Sequence, residues 1–119
     1  MTKGSKQPTE TFVRLPHRVI DSEAFHGLSA NACKLLLGIC RRYNGHNNGA
    51  VRLSLGDAAR WLSCSRSTAI RTFSELSAAG FIVAVERGGF RYRAGGRTGV
   101  PTAWRITFLP GSEADVVNL

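Results

Sequence analysis

The chain holds little that could build a disulfide scaffold, a metal site or a membrane span. Its three cysteines, Cys33, Cys40 and Cys64, are odd in number and form no paired framework, which argues against a secreted disulfide-stapled fold. No C-x-x-C pair and no Cys/His cluster has zinc-site spacing, so no metal is expected. Cys33 and Cys40 stand seven residues apart on one helix face and read as small hydrophobes. No apolar run approaches the ~18 to 20 residues of a membrane span. The start, MTKGSKQPTET, lacks the apolar block of a signal peptide. The expectation is a cytoplasmic, nucleoid-associated protein with no membrane partner.

Negative charge is also scarce. Eight Asp and Glu oppose sixteen Lys and Arg, giving +8 at pH 7. The carboxylates are unpaired in sequence, so no acid/base couple is apparent. Gly88-Gly89 is not followed by the G-K-[ST] of a phosphate loop, and Ser63, Ser65 and Ser67 lack a G-x-S-x-G context. His17, His26 and His46 are scattered and read as structural or exposed. No catalytic residue, no cofactor and no enzyme activity are expected.

What is present is basic and apolar together. An apolar content of 43% over 119 residues suits one domain with one core. The excess of cations favours a polyanionic partner, nucleic acid above all. Arginine outnumbers lysine thirteen to three, which matters because arginine gives forked hydrogen bonds to phosphate and guanine edges.

Residues 1–10 read as a flexible arm, 11–110 as the domain and 111–119 as a short tail. In 11–27, Phe12, Val13, Leu15, Val19, Ile20 and Phe25 are expected to pack onto the core, and Pro16 to break any regular element. The spacing of Leu28, Ala32, Leu35, Leu36, Ile39 and Tyr43 predicts a helix over 30–43, capped by Ser29 and stopped by Asn44-Gly45. Residues 46–49 read as a loop and 50–53 as a short strand. Ser54 and Asp57 open a second helix over 55–62, on which Trp61 is expected to be partly buried. Ser63-Cys64 make a turn, Ser65 caps a third helix over 66–79, and Gly80 closes it. Ala69, Phe73 and Leu76 mark that helix's buried face. Residues 81–86 and 102–109 then alternate as strands, with Trp104, Ile106 and Phe108 on one face. Residues 90–93 are expected to extend the first strand past a bulge at Gly88-Gly89. The predicted fold class is α+β: three main helices and a two- to three-stranded antiparallel sheet with a basic hairpin.

Two stretches carry the chemistry. Opposite its core face, the third helix presents Arg66, Ser67, Ile70, Arg71 and Ser74, with Thr68 near the edge and the cap Ser65 as a further contact candidate, and no acidic residue lies between Asp57 and Glu75. Hydroxyls and a positive helix end suit phosphates; Arg66 and Arg71 suit guanine edges, and Ile70 a thymine methyl. The hairpin follows with Arg87, Arg91, Arg93, Arg97 and Arg105 within nineteen residues, beside Gly95, Gly96 and Gly99. Arg52, just before the second helix, is a further candidate for phosphate contact; Lys34, Arg41 and Arg42 are weaker ones.

The order helix, strand, helix, turn, helix, basic hairpin resembles the winged helix-turn-helix superfamily. The resemblance is carried by S-T-A-I-R-T-F-S-E-L-S-A-A-G-F-I at 67–82 and by T-A-W-R-I-T at 102–107, and covers about residues 28–109. It is similar in particular to small helix-turn-helix proteins of bacterial prophages, plasmids and integrative elements. The resemblance implies a recognition helix at 66–74, a wing at 87–99, and double-stranded DNA as partner in transcription regulation. The alternatives are an origin- or recombination-site-binding factor and a winged-helix protein-interaction module. A homodimer is compatible with the sequence, whereas no small-molecule effector is expected.

Overall fold

The computed structural model describes residues 10–86, 92–93, 96–97 and 101–110. The elements run α1 (His17–Ile20), α2 (Glu23–His26), α3 (Ala30–Arg41), β1 (Val51–Arg52), α4 (Leu55–Leu62), α5 (Arg66–Ala78), β2 (Ile82–Glu86), β3 (Tyr92–Arg93), β4 (Gly96–Arg97) and β5 (Ala103–Ile106). The described part is a small α+β fold. An antiparallel sheet in the order β1-β5-β2 accompanies the helices, and β3 and β4 pair as a separate two-stranded ladder.

Single-turn helices such as α1 and α2 cannot sustain themselves, because nucleation costs more than one turn returns. Here Pro16 opens α1 instead of only interrupting the chain: at φ −60° its carbonyl accepts from Val19 N at 2.9 Å and Ile20 N at 3.2 Å. Ser22 joins the two turns, donating to the Val19 carbonyl at 2.7 Å and accepting from Phe25 N at 3.2 Å. Val19 is buried, and Phe25 packs edge-on to Phe81 at 6.4 Å. Phe12 departs from expectation, being 70% exposed. It lies in the irregular segment before α1, with the Arg14 guanidinium 5.7 Å from its ring centre.

Each long helix starts at the serine its spacing predicts. Ser29, Ser54 and Ser65 accept from the amides of Ala32, Asp57 and Thr68. α3 ends at Arg41, two residues before the expected limit. The asparagine loop takes over there: Asn47 Nδ2 donates to the Arg42 carbonyl at 2.9 Å, and Asn44 Oδ1 accepts from His46 N and Asn47 N. Short amide side chains compete with the helical ladder in this way. α5 closes through paired bonds, Phe81 N to the Leu76 carbonyl and Gly80 N to the Ser77 carbonyl, with Gly80 at φ +88°. Only glycine takes that left-handed conformation without steric cost.

The core lies between α3, α5 and the sheet. Leu35, Leu36, Ile39, Val51, Leu76, Ile82 and Ile106 are fully buried. Trp104 of β5 stacks on Phe73 of α5 at 5.5 Å with an interplanar angle of 5°. β5 is shorter than expected, and Phe108 lies beyond it in a turn, edge-on to Phe81 at 6.3 Å. The described bulge sits between Ala84 and Glu86. The expected Gly88-Gly89 bulge lies outside the described residues. Residues 92–93 pair with 96–97 in a ladder of their own and do not prolong β2.

Candidate nucleic-acid interface

The link between α4 and α5 is tight because Ser63 adopts a left-handed conformation, φ 56° and ψ 50°. Its amide donates to the Arg60 carbonyl at 3.2 Å and the Cys64 amide to the Ala59 carbonyl at 2.9 Å, so α4 closes as α5 does. Ser65 then starts α5 within two residues. Ala69, Thr72, Phe73 and Leu76 form the buried side of α5. Thr72 joins the expected core face because its hydroxyl is satisfied locally, donating to the Thr68 carbonyl at 2.7 Å.

The opposite side exposes Arg66, Ser67, Ile70, Arg71 and Ser74 together, and Ile70 is 49% exposed. Ser65 and Thr68 are at its edge with their hydroxyls engaged. Ser65 Oγ accepts from Thr68 N and donates to Thr68 Oγ1, both at 3.1 Å. Arg71 Nη2 donates to the same Thr68 oxygen at 3.3 Å, which steadies its guanidinium on the helix. Arg66 folds back over the start of α4: a Cβ placed on Gly56 would lie 3.2 Å from Arg66 Nη2. It therefore belongs to the crevice between the two helix starts.

Glu75 is the one acidic residue of α5, and it is turned away from this face. Its carboxylate accepts from Ser29 N and from Ser29 Oγ, each at 2.8 Å. It thus completes the cap of α3 from a different helix, where a negative charge is favoured by the helix dipole. The exposed α5 surface is left without a carboxylate. Nearby, partial burial and then the Glu75 charge push the Cys33 thiol above its ordinary pKa.

The other expected contact residues divide. Arg52 is already engaged: its guanidinium donates to Glu86 Oε1 at 2.8 Å and to the Pro101 carbonyl, tying β1 to β2 and to the approach of β5. That arrangement makes it a sheet tie. Its place in sequence, just ahead of a helix, carried no sign of these partners. Backbone pairing sets Arg93 opposite Gly96 and Arg97 opposite Tyr92. Arg87 and Arg91 lie outside the described residues. Arg105 is half-buried in β5, opposite Val83.

Sequence reasoning missed Asn48, Glu75 and Gly38 as organisers of this frame. Asn48 is buried and bonded to β5. Gly38 accommodates Trp61, whose indole donates to the Lys34 carbonyl at 2.7 Å; a Cβ on Gly38 would meet the ring at 2.7 Å. Their one visible signal was residue type, a glycine within a helix and an asparagine pair before a strand.

Among the described residues, no three His, Cys, Asp or Glu side chains gather as a metal set would. No helix among them is long and apolar enough to cross a membrane. Comparison of the chain with protein-family models, with curated proteins and with solved structures gives no match.

Proposed function

We propose that this is a sequence-specific double-stranded DNA-binding protein of the winged helix-turn-helix kind, a transcriptional regulator of a mobile element. The observation that carries the reading is the uncharged-to-cationic face of α5, from which the one carboxylate of that helix, Glu75, is turned aside to Ser29. A surface entering a major groove meets phosphates on both sides, so one carboxylate there would cost affinity for every sequence.

In this mechanism α5 enters the major groove. Arg71, steadied by Thr68, addresses a guanine edge, and Ile70 addresses a thymine methyl. Ser67 and Ser74 supply hydroxyls to phosphates or base edges. Arg66, close to the start of α4, holds the backbone strand that crosses both helix starts. The arginine-rich segment 87–99 grips the flanking groove, adding affinity that salt would weaken. Regulation follows from occupying a promoter and needs no catalysis.

The test is selection from a randomised duplex library, with the winners titrated by fluorescence anisotropy against scrambled duplex at two salt concentrations. The expected result is an enriched motif bound far more tightly than scramble at both. Weak, salt-labile binding with no motif would remove base readout from the proposal.

A further inference from the structure

Gly38, Arg41 and Arg42 at the end of α3 and Leu53, Asp57 and Trp61 at and before α4 line an open groove. Its rim is apolar as well as cationic. Trp61 is 40% exposed, and Leu37, next to Gly38, is 42% exposed. Arg41 is exposed and makes no ion pair with any described residue. Arg42 reaches Asp57 at 3.6 Å and donates to the Arg52 carbonyl at 3.5 Å, and Asp57 is shared with Arg60. Exposed tryptophan and leucine beside two exposed guanidinium groups, one of them without an ion pair among the described residues, suit an acidic segment with apolar residues.

The chain itself supplies such a segment close by. The Tyr43 hydroxyl donates to the Pro110 carbonyl at 3.3 Å, and Asn48 Nδ2 donates to the same oxygen at 3.0 Å. Pro110 is thereby held at the C-terminal end of α3. The next nine residues, GSEADVVNL, contain Glu113, Asp115, Val116 and Val117 and no cation. At up to ~3.3 Å per residue, Glu113 reaches about 10 Å from Pro110 and Val117 about 23 Å. Gly38 lies only about 8 Å along the axis from Tyr43, on a helix about 10–12 Å across.

We propose that residues 111–119 dock within the same molecule into the α3–α4 groove. Glu113 and Asp115 face Arg41 and Arg42, and Val116 and Val117 cover Trp61 and Leu37. The segment screens two cations and the largest exposed ring of the helical face. This docking does not depend on the DNA-binding reading.

The experiment uses the full chain and its variants E113K/D115K and Arg41→Glu, followed by the Trp61 indole and Gly38 amide resonances and by acrylamide quenching. Acrylamide is neutral, so it reports cover and not local charge, and buried Trp104 contributes little. Both variants should move the Trp61 and Gly38 peaks in the same direction and raise the quenching. Combining Arg41→Glu with E113K/D115K should restore part of the original shifts, because the charges are exchanged. The proposal is overturned if the charge reversals leave both peaks in place and the quenching unchanged. It is also overturned if the original shifts collapse on dilution, since the occupant would then be the segment of a second copy.

Discussion

Asn48 meets Ile106 as a neighbouring strand residue would: its Oδ1 accepts the Ile106 amide at 2.6 Å and its Nδ2 donates to the Ile106 carbonyl at 2.9 Å. The same Nδ2 also reaches the carbonyls of Leu109 at 3.1 Å and Pro110 at 3.0 Å. One buried side chain thus replaces the backbone of a missing strand and fastens the turn after β5. Asn48→Ala should destabilise the protein by about 3 kcal/mol, since it leaves a buried amide and carbonyls without partners. Asn48→Asp should cost at least as much, because a carboxylate accepts from Ile106 but cannot donate to the three carbonyls. Denaturant midpoints at constant m-value check both. A midpoint unchanged in Asn48→Ala would mean that water replaces the carboxamide at no cost.

Two helix ends allow a matched pair of substitutions. Ser63 pays a steric cost at φ 56° that glycine would avoid, whereas Gly80 at φ +88° already avoids it. Ser63→Gly should stabilise by about 0.5–1 kcal/mol and Gly80→Ala should destabilise by about 1–2 kcal/mol. Thermal unfolding of the two variants should move in opposite directions; movement in the same direction would contradict this account of the turns.

Burial pushes the Cys40 thiol from the ordinary value of 9.0 up to about 12. Below pH 9 the thiol is neutral whether the chain is folded or unfolded, so it adds no pH dependence. Between pH 9 and about 12 the unfolded chain loses the proton and the folded one keeps it. Stability should therefore fall across that window by up to about 1.4 kcal/mol per pH unit. Cys40→Ala lowers stability overall and should flatten this alkaline slope. An equal slope in the variant would assign the pH dependence to other groups.

Under the proposed function, arginines should fail in different ways. Arg71→Ala should cost about 1–3 kcal/mol on the preferred duplex and much less on scramble, relaxing specificity. Arg93→Ala or Arg97→Ala should weaken binding to every duplex and reduce the salt slope by about 1. Arg52→Ala should mainly lower the unfolding midpoint, because its guanidinium is held by Glu86 and Pro101. Anisotropy titrations beside thermal melts separate the three. Identical losses on all duplexes from Arg71, Arg93 and Arg97 would contradict the division between readout and grip.

Glu75→Gln tests the borrowed cap. The amide can accept one of the two Ser29 hydrogen bonds but brings no charge to the start of α3, so a loss of about 1 kcal/mol is expected. Glu75→Ala should lose about twice that. A variant as stable as the parent in both cases would show the contact with Ser29 to be incidental.

The three long helices are legible in the sequence because their signals are local. Ser29, Ser54 and Ser65 each bond an amide three residues on, and α4 spans the residues its pattern predicts. The exposed side of α5 was legible for the same reason: once Ala69, Phe73 and Leu76 face inward, helical geometry dictates what faces out. Strand ends were less so. β5 ends at Ile106, where the Asn48 side chain stands in for a strand neighbour, and period-two alternation contains nothing about such a partner.

The amino-acid sequence by itself determined the three long helices, their serine caps, the strongly basic balance and the set of residues exposed on α5, since each depends on composition or on neighbours within about one turn. Tertiary structure alone decided which polar groups were already spent. Trp61 reaches Lys34 across 27 positions, Arg52 reaches Glu86 across 34, Ser29 reaches Glu75 across 46 and Asn48 reaches Ile106 across 58. At those separations a side chain's partner is set by how helices and sheet close on a shared core, and no residue pattern along the chain encodes that distance.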